Sequence, residues 1–88
     1  PLPVILGMSP RSAYYAGGKH IQMENINETL VLARVKNVDF ILITQKEYRT
    51  IEEELLRSIK GGKIALAYKY PEKELLSRSS ILLYKALY

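Results

Sequence analysis

Few side chains in this chain could do chemistry, and their spacing says which chemistry is excluded. His20 is the only histidine and Asp39 the only aspartate. A general acid or base needs a partner held within hydrogen-bond reach, and nothing near His20 in the Gly17-Gly18-Lys19 turn supplies one. Glu52, Glu53 and Glu54 look like an acidic ligand set. Consecutive helical residues point about 100° apart, however, so the three cannot converge on one ion. They fit better as dipole-compensating acids in the first turn of a helix. With no cysteine in the chain, disulfides and thiolate metal sites are excluded. No catalytic residue, metal site or cofactor is therefore assigned.

One corner is a candidate for ligand contact. In Gly7-Met8-Ser9-Pro10-Arg11-Ser12 a strand gives way to a helix, the place where doubly wound sheets collect anions. Ser9, Arg11 and Ser12 could meet a phosphate there, and one ring of Tyr14-Tyr15 could stack on a sugar. The glycine-rich dinucleotide and Walker patterns are absent. The same residues read more readily as a helix cap with a surface arginine, and one tyrosine as core.

The elements that must position this corner follow from periodicity. Val38 to Thr44 holds the apolar run Phe40-Ile41-Leu42-Ile43. A run without alternation reads as the central strand of a sheet, covered on both faces. Before it, Val4-Ile5-Leu6 is a first strand. Ser9 and Pro10 open a short helix over 11–16, and Gly17-Gly18 stop it. His20 to Met23 is a weak edge strand. Asn25 and Glu28 have capping-box spacing, and Ile26, Leu30 and Ala33, flanked by Val31, make the inward stripe of a second helix ending at Asn37. Thr50 to Glu53 repeats the capping pattern. Ile51, Leu55, Leu56 and Ile59 then form the stripe of a third helix, closed by Gly61-Gly62. Ile64 to Tyr70 alternates as a half-covered strand, and Ile81 to Leu87 is a last strand, antiparallel to its neighbour.

The order β-α-β-α-β-α-β-β predicts an α/β fold, a three-layer Rossmann-like doubly wound sheet with three helices and strand order 2-1-3-4-5, strand 5 antiparallel. One short helix cannot roof its whole side. The sheet near strands 3, 4 and 5 should leave an apolar patch that includes Phe40 or Ile41, Leu66, Leu82 or Leu83, and tyrosines, and such a patch on a small domain marks a docking surface.

Size and composition bound the rest. Eighty-eight residues make one domain, and such a chain buries roughly 60–65% of its unfolded surface. Hydrophobic content of 48% and charged content of 25% are globular values. Thirteen basic against nine acidic residues give a net charge of +4. The basic residues are dispersed, which suits solvated faces or lipid head groups better than nucleic acid. No apolar run approaches the ~20 residues of a membrane-spanning helix. The opening Pro1-Leu2-Pro3 reads as a cut within a longer protein.

Two stretches carry a family resemblance. Ile5 to Lys19, with Ala13-Tyr14-Tyr15-Ala16-Gly17-Gly18-Lys19 at its end, and Ala33 to Ile43, with Val38-Asp39-Phe40-Ile41-Leu42, resemble the C-terminal soluble tail of polytopic membrane glycosyltransferases of the GT-C type. These are relatives of dolichyl-phosphate-mannose protein mannosyltransferases and of lipid A aminoarabinose transferases. Ile81-Leu82-Leu83-Tyr84-Lys85 is similar to their last strand. The resemblance implies a parent that transfers a sugar from a polyprenyl-phosphate donor. Its catalytic carboxylates would lie between transmembrane helices, so no residue here inherits a catalytic role. It implies an extracytoplasmic domain of a cell-membrane protein, used for docking or acceptor handling. Its partners would be the membrane part of its own chain, lipid head groups or polyprenyl-phosphate, or a second copy through an exposed sheet face. The competing expectation is an independent cytoplasmic α/β module that binds a phosphorylated small ligand at Ser9 to Ser12.

Overall fold

The computed structural model describes residues 2–8, 17–70 and 80–87. The described strands are β1 (Val4–Gly7), β2 (Lys19–Gln22), β3 (Phe40–Thr44), β4 (Ile64–Tyr70) and β5 (Ile81–Ala86). A 3-10 turn over Ile26–Glu28 leads into α1 (Thr29–Val35), and α2 (Gln45–Thr50) and α3 (Glu52–Lys60) separate β3 from β4. The chain is thus a small mixed α/β domain with a five-stranded sheet and three helices among the described residues. The helix expected over 11–16 lies outside them.

The sheet runs β2-β1-β3-β5-β4. β1 pairs parallel with β2 and β3, while β5 is antiparallel to both β3 and β4. This corrects the expected order 2-1-3-4-5: the last strand is inserted between the third and fourth. Burial gives the reason. Ile81-Leu82-Leu83-Tyr84 is far more apolar than Tyr68-Lys69-Tyr70, and the inner slot buries Leu82 and Tyr84. The edge falls to β4, exposed from Leu66 onward. An antiparallel strand in that slot also hydrogen-bonds on both sides, so neither β3 nor β5 is left as an edge.

β3 is central as expected, but its burial alternates. Ile41 and Ile43 share one face with Leu6, Leu82 and Tyr84, and on them pack Ala33 of α1, Tyr48 of α2, and Ile51 and Leu55 beside and within α3. The described helices therefore cover this face. The opposite face is a grid of three rows read across β3, β5 and β4: Phe40–Lys85–Ala65, Leu42–Leu83–Tyr68 and Thr44–Ile81–Tyr70. Its β3 and β5 members are mostly half-buried, whereas Tyr68 and Tyr70 are exposed.

The alternation expected for β4 fails at one point. The pairing slips between Leu66 and Tyr68, leaving Ala67 as an extra residue. Such a bulge reverses which face the following residues use. Leu66 pairs with Tyr84, while Tyr68 and Tyr70 pair with Leu83 and Ile81 on the other side. Of the expected patch, Phe40, Leu83 and these tyrosines lie on this grid, which the described helices do not cover. Ile41 and Leu82 are core, and Leu66 is 47% exposed at the edge of the helix-covered side.

Helix ends differ from expectation in an instructive way. Asn25 does cap the 3-10 turn, its side-chain oxygen accepting from the Asn27 N–H at 3.0 Å. Thr50 caps nothing; it ends α2, and Ile51, without a side-chain cap, opens α3. The true capping box is Thr44 with Glu47, missed in the sequence. Within the stripe expected on α3, Ile51 and Leu55 are buried, but Leu56 and Ile59 remain exposed; on α1, Val31 is exposed too. Gly62 and Asn37 adopt φ of 73° and 51°, left-handed values that suit glycine and asparagine where a helix must stop, and Gly17 also has a positive φ, 65°.

Candidate functional site

Where the strand order reverses, β1 and β3 lie side by side and their C-terminal ends open the crevice in which doubly wound sheets bind ligands. Ser9, Arg11, Ser12, Tyr14 and Tyr15, the residues expected to act there, lie outside the described residues. The described rim consists of Gly7, Met8, Thr44, Gln45 and Glu47. Gly7 is buried, and its carbonyl accepts the Met23 N–H at 2.9 Å, which fixes the end of β1 beside β2. Thr44 and Glu47 are occupied with each other. The Glu47 carboxylate accepts the Thr44 N–H at 2.8 Å, and the Thr44 hydroxyl accepts the Glu47 N–H at 3.2 Å. A carboxylate held in a capping box is a poor general base, because its lone pairs already serve the backbone.

Gln45 is the rim's loose end. Its N–H donates to the Ser80 carbonyl at 2.8 Å, while its buried Oε1 has no hydrogen-bond partner among the described residues. An unpartnered carbonyl oxygen can accept a hydrogen bond from a ligand, but it supplies neither a nucleophile nor a proton acceptor for catalysis.

The remaining candidates resolve into structural roles. His20 stands opposite Ile5 in the sheet, and both its ring nitrogens are buried without a partner among the described residues. Among the described residues, no carboxylate hydrogen-bonds to it. Asp39 serves the backbone. Its carboxylate accepts the Val4 N–H at 2.7 Å, its own N–H donates to the Val4 carbonyl at 2.8 Å, and its carbonyl accepts the Ala86 N–H at 2.9 Å. One residue thus clamps β1, β3 and β5 at the start of the parallel strands. Glu52, Glu53 and Glu54 occupy the first turn of α3, as dipole compensation requires. Among the described residues, no group of His, Cys, Asp or Glu could hold a metal ion.

Burial perturbs two phenols. The Tyr84 hydroxyl is pushed up to about 12, chiefly by burial and also by neighbouring Tyr48. The Tyr48 phenol is also raised, first by its own burial and then by the negative charge of Glu52. Both phenols keep their protons at neutral pH. Each packs in or against the core on the helix-covered side, so these shifts describe the core.

Among the described residues, open grooves include three on the surface. One of about 320 Å³ lies between Leu2, Pro3, Phe40 and Lys85. Another, of about 330 Å³, runs from Leu30 to Arg57 and Lys63. A polar one of about 390 Å³ surrounds the start of α3. None gathers a nucleophile, a base and an oxyanion donor. Among the described residues, no helix is long and apolar enough to cross a membrane. Compared with protein-family models, with curated proteins and with solved structures, the chain matches none.

Proposed function

We propose that this chain is a non-catalytic accessory domain of a membrane glycosyltransferase that uses a polyprenyl-phosphate sugar donor. It sits on the extracytoplasmic side and docks on the membrane-embedded part of its own parent protein. One observation carries the reading: the sheet is covered by described helices on one side only, and the other side carries half-buried Phe40, Leu42, Leu83 and Ile81 and exposed Tyr68 and Tyr70, with Lys85 as the charged residue of that grid among the described residues. A domain built to catalyse would spend its polar residues on a pocket. Here Thr44 and Glu47 of the described crevice close on each other, and the apolar surface is the larger resource. The resemblance of Ala13 to Lys19 and of Ala33 to Ile43 to the tails of GT-C enzymes supplies the kind of parent.

The test uses the full-length protein in its own membranes. Tyr68→Ser with Tyr70→Ser, two exposed positions, should lower sugar transfer from a polyprenyl-phosphate donor. The circular dichroism of the 88-residue chain carrying the same changes should not alter. A full-length protein without hydrophobic spans, or one whose transfer is indifferent to both substitutions, overturns the proposal.

A further inference from the structure

The aligned helices sort charge by position. α1 and α3 both run from the C-terminal edge of the parallel strands back to their N-terminal edge, so their dipoles point the same way. Acids collect at helix starts, with Glu28 before α1 and Glu52 to Glu54 opening α3, while Lys60 lies in the last turn of α3 and Lys36 follows α1. What is a local preference within each helix becomes a pole for the whole domain, because the topology aligns them.

The strand ends extend that pole. A chain of backbone hydrogen bonds runs along the N-terminal edge: Lys19 N–H to Pro3 at 2.7 Å, Asp39 N–H to Val4 at 2.8 Å, Ala86 N–H to Asp39 at 2.9 Å and Leu87 N–H to Lys63 at 2.9 Å. It brings Lys19, Lys63 and Lys85 to the edge where Lys36 and Lys60 already lie. Asp39 is the acid on this edge among the described residues, and its carboxylate is held by the Val4 N–H. Between the lysines stand Leu2, 69% exposed, and Leu87, 48% exposed, beside the groove that Phe40 and Lys85 help to line.

We propose that this lysine-rich, leucine-tipped edge rests on the surface of an anionic phospholipid bilayer. Amines gathered on one edge gain from a negatively charged surface, and exposed leucines gain only where there is apolar material to enter. Nucleic acid would use the first feature and waste the second. It would also want exposed aromatic rings to stack on; Phe40 on this edge is half-buried, and the exposed Tyr68 and Tyr70 lie toward the other end of the sheet. The inference needs nothing from the glycosyltransferase reading and can hold where that fails.

The experiment is co-sedimentation of the 88-residue chain with vesicles of equal parts phosphatidylcholine and phosphatidylglycerol, against vesicles of phosphatidylcholine alone. Partition is expected into the mixed vesicles only, weakening as salt rises. Each Lys→Gln change on the edge should weaken it about five-fold, so Lys63→Gln with Lys85→Gln should cost about twenty-fold or more. Lys46→Gln with Lys69→Gln, the same loss of charge at the opposite pole, should leave it nearly unchanged. Should the first pair unfold the chain by circular dichroism, Lys19→Gln with Lys36→Gln tests the same edge. Equal loss in edge and opposite-pole pairs, equal binding to neutral vesicles, no partition at all, or binding to duplex DNA in place of vesicles each overturns the proposal.

Discussion

At the scale of single residues, the side chains that look reactive mostly hold backbone or fill core. Asp39 accepts the Val4 N–H at 2.7 Å, a charge-assisted bond at the seam of β1 and β3. Asp39→Ala should destabilise the chain by about 1–2 kcal/mol, toward the low end for such bonds because the residue is exposed; urea denaturation measures it. Asp39→Asn, which keeps an acceptor oxygen, should lose less. Tyr84 makes a pH prediction. Its phenol stands near 12 in the folded chain against an ordinary value of about 10. The folded state therefore holds a proton that the unfolded state has released between those values. The stabilisation is complete below about pH 10 and is lost as pH rises through about 12. Denaturation midpoints measured across that window should fall for the natural chain and fall less steeply for Tyr84→Phe.

At the scale of elements, the informative departures lie at ends and edges. Thr44-Gln45-Lys46-Glu47 has the spacing of a capping box, and the structure closes it reciprocally. The apolar run of β3 hid the signal, because Thr44 reads equally well as the last β-branched residue of the strand. Thr44→Ala should cost about 1 kcal/mol, seen as a lower midpoint of chemical unfolding with unchanged slope. The bulge at Ala67 left no trace in an alternating stretch, since Ile64-Ala65-Leu66-Ala67-Tyr68-Lys69-Tyr70 keeps its period throughout. Only pairing to β5 reveals that Tyr68 and Tyr70 change sides.

At the scale of the molecule, the core forms between one sheet face and the described helices. Ile41, fully buried on the central strand, lies in it with Leu6, Leu55 and Tyr84. Ile41→Ala should cost about 2–5 kcal/mol, a large share of the total for a domain stabilised by roughly 0.05–0.15 kcal/mol per residue. Guanidinium unfolding followed by circular dichroism should show a single transition moved to much lower denaturant. A loss below 1 kcal/mol would mean that this face is not the principal core. Charge polarity also belongs to this scale. Dispersed lysines in the sequence gave no sign of a patch, and their meeting at one edge depends on which strand ends the fold brings together.

The amino-acid order alone was enough for the α/β class, five strands, the central place of Phe40 to Ile43, and the helix stops at Asn37 and Gly61-Gly62. These are properties of local propensity and period, which a short window contains. Folding in three dimensions decided that β5 enters between β3 and β4, that the tyrosines of β4 turn to the face the described helices leave uncovered, and that distant lysines share one edge. Each depends on which strand another segment pairs with. Pairing is settled by burial summed over the whole sheet, and no stretch of the chain records that sum by itself.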